Sequence, residues 1–220
     1  MDRSELLEFT YAWPQEAAAI PLLAKRLEEE LLERRREAER DAREDRATRG
    51  KDAPFFAHSF DKQWTVAGST GQLLSLRATT EFYTGGAHPN MLFDAVIWDR
   101  QAARALTLAD WFTAPEEAIA RVETLYCRAL DSERLERRGG EIGAPGTWET
   151  KCPALKAQVV VPQDGDGDGR FERIVIMLPP YEAGPYAEGA YVVVLAADPR
   201  LVAALKPEYR ASFGGAPADD

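Results

Sequence analysis

Residues 72–99 read QLLSLRATTEFYTGGAHPNMLFDAVIWD. Leu74, Leu76, Ala78, Thr80 and Phe82 alternate with Ser75, Arg77, Thr79, Glu81 and Tyr83, the period-two pattern of a half-buried strand. MLFDAVIWD is a second apolar β-rich run. Only YTGGAHPN, residues 83–90, separates the two. A connection this short is too small for a crossover, so it predicts antiparallel neighbours.

Upstream, Leu7, Phe9, Tyr11 and Trp13 alternate as another strand that Pro14 ends. Ile20, Leu23, Leu27 and Leu31 then recur at helical spacing. The Arg/Glu-rich extension beyond Leu32 is expected to project into water or fray, and RGKDAP to break it. Phe60, Trp64 and Val66 suggest a further strand.

Downstream, Thr113 and Glu116 have capping-box spacing ahead of a helical stripe of Ile119, Val122, Tyr126 and Ala129, closed by Gly139 and Gly140. AQVVVP, RIVIML and AYVVVLA read as three strands, followed by a short helix at RLVAAL and a polar tail, GGAPADD. Strand, helix, several strands, helix and several strands argue for an α+β architecture, with antiparallel sheets packed against helices.

The chain has 220 residues, 45% of them hydrophobic, enough for a sizeable core in one body or two small domains. Its net charge of -10 repels nucleic acid, and the one dense arginine run, Arg34 to Arg49, is interleaved with Glu and Asp. No apolar run is long enough to span a membrane, and the N-terminus shows no signal-peptide pattern. Cys127 and Cys152 fit either one disulfide in an oxidising compartment or two buried thiols.

Three stretches could carry chemistry. In DGDGDGRFE, Asp164, Asp166 and Asp168, the Arg170 carbonyl and Glu172 have the oxygen-ligand spacing of a calcium loop, with Gly169 at the sixth position. The twelfth position is Val175 rather than a bidentate Glu, so the loop fits weak Ca2+ binding or an acidic turn without metal. In YTGGAHPN, Gly85 and Gly86 can supply positive φ or close backbone approach, and Asn90 tolerates a left-handed conformation. The loop is a turn first, and Tyr83, His88 and Asn90 could make it a contact surface. Trp98, Trp111 and Phe112 could line a groove, although most aromatics are expected in the core. With two histidines and no G-x-S-x-G elbow, no catalytic constellation emerges, and the expected class is a non-enzyme.

Four segments carry a family resemblance. FYTGGAHPN, then LTLADWF, then PPYEAGPYAEGAYVVVL, then LKPEY, in that order, resemble the extracytoplasmic domain pair of RsiV, the lysozyme-sensing anti-sigma factor, and an accessory region of the peptidoglycan deacetylase PdaC. The resemblance implies two α+β domains, residues 1–88 and 89–220, secreted or lipid-anchored outside the cytoplasm after removal of a leader. It also implies a Cys127–Cys152 disulfide, and a binding surface at Tyr83, Gly85, Gly86, His88 and Asn90 for a lysozyme-like protein or cell-wall glycan. The transmembrane and sigma-binding segments of RsiV and the metal-binding deacetylase set of PdaC have no counterpart here, which leaves the binding part. The rival readings are a peptidoglycan-modifying enzyme using His88 with nearby acids, and a calcium-stabilised structural envelope protein.

Overall fold

The computed structural model describes residues 2–49 and 53–214. The middle of the expected break at RGKDAP and nearly all of the expected polar tail lie outside the described residues. The elements are β1 (Asp2–Arg3), β2 (Leu7–Ala12), α1 (Gln15–Ala18), α2 (Pro21–Thr48), β3 (His58–Ser69), β4 (Leu73–Tyr83), β5 (Asn90–Asp99), β6 (Arg104–Leu106), α3 (Pro115–Arg137), β7 (Val159–Gln163), β8 (Arg173–Leu178), β9 (Tyr191–Ala196) and α4 (Pro199–Ala204). Two sheets form, in strand orders β1-β2-β3-β4-β5-β6 and β7-β8-β9. The α+β class expected from the sequence is the one observed.

Among the described residues the contacts divide the chain into two units: Met1–Thr65 with Ala78–Leu92, and Val66–Arg77 with Phe93–Asp220. Each unit is therefore built from two segments, whereas the sequence reading placed a single boundary after His88.

In the first unit the expectation of purely antiparallel pairing is corrected. β2 and β3 run parallel, with Phe9 opposite Phe60 and their rings stacked at 5.1 Å. The reason lies between them: α2 supplies the long crossover that a parallel pair requires. Leu23 and Leu27 bury one stripe of α2, as their spacing predicts. Beyond Leu32 the helix neither stops nor frays. It continues to Thr48, with Arg35 and Arg43 both paired to Glu39, Ala42 fully buried and Asp45 reaching His58. Lys62 of β3 is only 2% exposed, and Glu30 satisfies its ammonium group. Tyr11 donates to the other Glu30 oxygen at 2.8 Å, Trp64 donates to the Tyr11 hydroxyl at 2.9 Å, and the Trp64 ring lies 4.8 Å from the Lys62 ammonium.

In the second unit β7, β8 and β9 pair antiparallel, with Val175 opposite both Val161 and Val194. RIVIML is a continuous apolar run because β8 is buried on both faces. Ile174, Ile176 and Leu178 join the main core, while Val175 and Met177 meet Val161 and Ala67. Ala118, Val122, Tyr126, Leu130 and Arg134 recur every four residues along the buried stripe of α3. Phe171, Phe213 and Trp111 continue that core through ring contacts of 5.2 and 5.9 Å. The expected groove aromatics Trp98, Trp111 and Phe112 are all buried core residues.

The expected Thr113–Glu116 capping box does not form. Ala114 is the N-cap of α3 without a side-chain bond, and the Thr113 hydroxyl donates to the Leu205 carbonyl. The box sits six residues earlier, where Thr107 and Asp110 cap a 3-10 turn within LTLADWF. Arg104, donating to Asp110, and Thr107 hold the Asp110 carboxyl far below the usual carboxylate range.

Candidate functional site

The YTGGAHPN turn is built on the far end of α2. Asp45 accepts from Arg49 Nε at 2.9 Å and pairs with the buried His58 Nε2 at 3.1 Å. The Arg49 bond, followed by that of His58, holds the Asp45 carboxyl below its ordinary value. The Arg49 guanidinium then lies under Gly85, whose φ is +85° and where an added Cβ would sit 2.5 Å from Arg49 Nη2. Gly85 thus meets both conditions expected of it. Gly86 meets neither, for its φ is not in the left-handed range and a Cβ there would meet open space. Asn90 opens β5 in extended backbone rather than a left-handed turn, and His88 Nδ1 donates to the Pro89 carbonyl at 2.8 Å. Gly85→Ala is expected to destabilise the protein by about 1–3 kcal/mol through backbone strain alone, and Gly86→Ala by under about 0.5 kcal/mol. Paired urea melts check this, and equal midpoints for the two variants would contradict it.

A second region is assembled at the C-terminal end of α3. Arg134 is fully buried, and its fork donates to the carbonyls of Ala183 (3.0 Å) and Lys151 (3.0 Å), with a longer bond to that of Thr150 and an ion pair to Asp131. One turn on, Arg138 donates to Ile142, Glu149 and Ala183 carbonyls and to both Glu188 oxygens. Burial pushes the Glu188 carboxyl up, but the bonds from Arg138 and Tyr191 outweigh it and hold the group below its ordinary value. Arg137 donates to the Glu188 and Ala190 carbonyls, with its guanidinium 4.0 Å from the Tyr191 ring centre. These three arginines tie down two loops, residues 139–152 and 179–190. The Cys127–Cys152 disulfide closes the first of them, with a Cα–Cα distance of 5.6 Å, and resolves the pair left open by composition.

Each braced loop presents large aromatic side chains to solvent. Trp148 is 53% exposed on the first. On the second, Tyr181 is 53% exposed and packs on Tyr186 with ring centres 5.6 Å apart. Tyr181 also holds φ at +75°, a conformation that costs a residue with a Cβ of order 1 kcal/mol and persists only where its surroundings enforce it. Sequence reasoning missed these three as site residues. PPYEAGPYAEG was noted only as a signature, and the useful signal at Trp148 was a lone large aromatic inside a Gly/Pro-rich loop.

The acidic loop between β7 and β8 brings together three of its five expected ligand residues. One carboxylate oxygen each from Asp164, Asp166 and Glu172 lies within 4.8 Å of the others. Asp168 is turned to its own backbone, accepting from Arg170 N at 2.8 Å, and the Arg170 guanidinium donates to the Phe213 carbonyl.

The fold is similar to those of two solved proteins of the DUF3298 family. A DUF3298 family protein from Pseudomonas aeruginosa PAO1 matches with 18% identity and a TM-score of 0.51 over 74% of this chain and 68% of the other. A member from Bacteroides fragilis NCTC 9343 matches with 19% identity and a TM-score of 0.54 over 86% of this chain and 71% of the other. Residues 2–91 match the family model described as Deacetylase PdaC, which bears out the PdaC part of the resemblance. No curated protein matches the sequence.

Proposed function

We propose that this chain is a non-catalytic binding module working outside the cytoplasm, and that its contact surface is formed by Trp148, Tyr181 and Tyr186. The observation that carries the proposal is Tyr181: exposed, held at positive φ and packed against the tilted ring of Tyr186, on a loop cross-braced by buried and half-buried arginines. Exposed aromatics on rigid supports bury large areas at small entropic cost, which is what a binding site requires. The disulfide supports an oxidising compartment. Among the described residues no helix is long and apolar enough to cross a membrane.

A lysozyme-like protein is the partner best suited to the charge, since a net -10 steers a cationic protein toward it and raises the association rate at low salt. Cell-wall glycan is the second reading, favoured by the Tyr181–Tyr186 pair as a platform for sugar rings. The YTGGAHPN loop serves as a structural turn in this account. Isothermal titration with a C-type lysozyme at two salt concentrations is expected to give saturable binding, weakened roughly tenfold or more by Tyr181→Ala or Trp148→Ala. Heat that vanishes at moderate salt would exclude the lysozyme reading, and glycan fragments form the second arm. Loss of affinity on His88→Ala with Tyr181→Ala unaffected would move the surface back to the turn. Glycan cleavage or deacetylation by the purified chain would defeat the non-catalytic reading.

A further inference from the structure

We infer that the loop between β7 and β8 is a calcium site formed by Asp164, Asp166 and Glu172. Clustered acids alone would be an unremarked acidic turn. What distinguishes this loop is Glu172, which is 2% exposed and brings a carboxylate oxygen within 4.8 Å of oxygens of Asp164 and Asp166. Its Oε1 accepts from Gly165 N at 2.7 Å and pairs with Arg173 Nε at 3.2 Å, while the buried Oε2 has no hydrogen-bond partner among the described residues. A buried carboxylate oxygen without a donor costs free energy that a bound cation removes.

The charge arithmetic agrees. Three carboxylates and one guanidinium leave two formal negative charges, the complement of a divalent ion. The backbone is already wound for it: Asp164 accepts from Gly167 N and Gly169 N, at 2.7 and 3.0 Å, leaving each oxygen a lone pair to donate. Gly167 and Gly169 both hold positive φ. Carboxylate oxygens with an open, exposed side for water suit the variable coordination of calcium better than the strict octahedron of magnesium. With three carboxylates and Val175 in place of a bidentate Glu, affinity belongs in the range of about 10⁻⁴–10⁻³ M typical of extracellular modules.

The ion would sit where three backbone hydrogen bonds anchor the loop. Asp164 N donates to the Ala67 carbonyl, Phe171 N to Ser212 and Ala197 N to the Glu172 carbonyl, so the loop is tied to the end of β3, to the start of the β9–α4 connection and to the chain's last described turn. An added Cβ at Gly68 would lie 2.8 Å from Asp164 Cβ, which shows how closely β3 and the loop approach.

The test is calorimetric titration of the chelator-treated full chain with calcium chloride, alongside thermal melts. One site is expected, with Tm raised by about 5 °C or more when calcium exceeds Kd by roughly a hundredfold. Asp166→Asn, at an exposed position that does not threaten folding, and Glu172→Gln are each expected to weaken binding at least tenfold and to remove the Tm gain. Asp168→Asn, outside the cluster, is expected to leave both unchanged. Absence of saturable heat up to about 10 mM calcium, a limit well above the expected affinity, would overturn the site. So would undiminished binding by Asp166→Asn, an equal loss in Asp168→Asn, or magnesium binding as tightly as calcium. Should Glu172→Gln fail to fold, the Asp166 and Asp168 variants decide.

Discussion

Arg134→Met is expected to lower the stability of this protein by about 3–5 kcal/mol, the largest effect of any single substitution considered. The side chain is wholly buried, and its loss removes at once the donors for the Thr150 and Lys151 carbonyls and one of the two arginine donors to that of Ala183. Methionine fills much of the volume, so the cost isolates unsatisfied carbonyl oxygens rather than a cavity. Arg134→Lys should recover less than half of it, because an ammonium group cannot reproduce the planar fork that serves two loops. For a chain of this size the methionine variant should melt roughly 10 °C lower. A shift of under about 2 °C would show that water replaces the guanidinium without loss, and that the two loops do not depend on the arginine.

Removing the disulfide by Cys127→Ala with Cys152→Ala is the second large effect, at about 3 kcal/mol from the loop-closure entropy of the 25-residue separation. This cross-link and Arg134 restrain the same segment, since Arg134 holds the Thr150 and Lys151 carbonyls directly before Cys152. Their losses should therefore not add. Once the cross-link is gone the loop is partly released already, and Arg134→Met should cost at least about 0.5 kcal/mol less in that background than in the parent. Denaturant melts of the four proteins of this cycle supply the comparison. Strict additivity would mean that the arginine and the disulfide stabilise separate parts of the unit.

The sequence disclosed most where one periodicity ruled alone. The alternation from Leu76 to Glu81 is matched by burial, with Leu76, Ala78 and Thr80 inside and Arg77, Thr79 and Glu81 less so. It fails at Leu73 and Ser75, which are buried on the opposite face where β4 lies in the second unit. The α3 stripe was legible as a helix, but its charged member was not. Arg134 reads as solvated by composition and is buried because carbonyls from distant loops converge on it. The same blindness to long-range partners explains α2: its Arg/Glu-rich half looked free to fray, while Ala42 and Asp45 anchor it to contacts absent from the local pattern. The parallel β2–β3 pair was within reach, since a long helix between two strands is the usual mark of a crossover. In the acidic loop, spacing pointed to five candidate ligand residues, whereas the turn gathers only Asp164, Asp166 and Glu172 and sends Asp168 to the Arg170 amide. The exposed aromatics Trp148 and Tyr181 could not be separated from core aromatics by residue type, because exposure is a property of the fold.

The chain passes between its two units three times, at 65/66, 77/78 and 92/93, and each passage falls inside a strand: β3, β4 and β5. This has a consequence for inheritance. Modules that are shuffled between genes are bounded by loops, so that a transferred segment carries its own complete set of hydrogen-bonded neighbours. Here no single splice point yields either unit whole. A gene fragment ending at residue 91, the limit of the PdaC match, would export residues 66–77 without the body that buries them and would divide β5 near its beginning. The two units are thus bound to descend together, and recombination that preserves folding has to take both or neither.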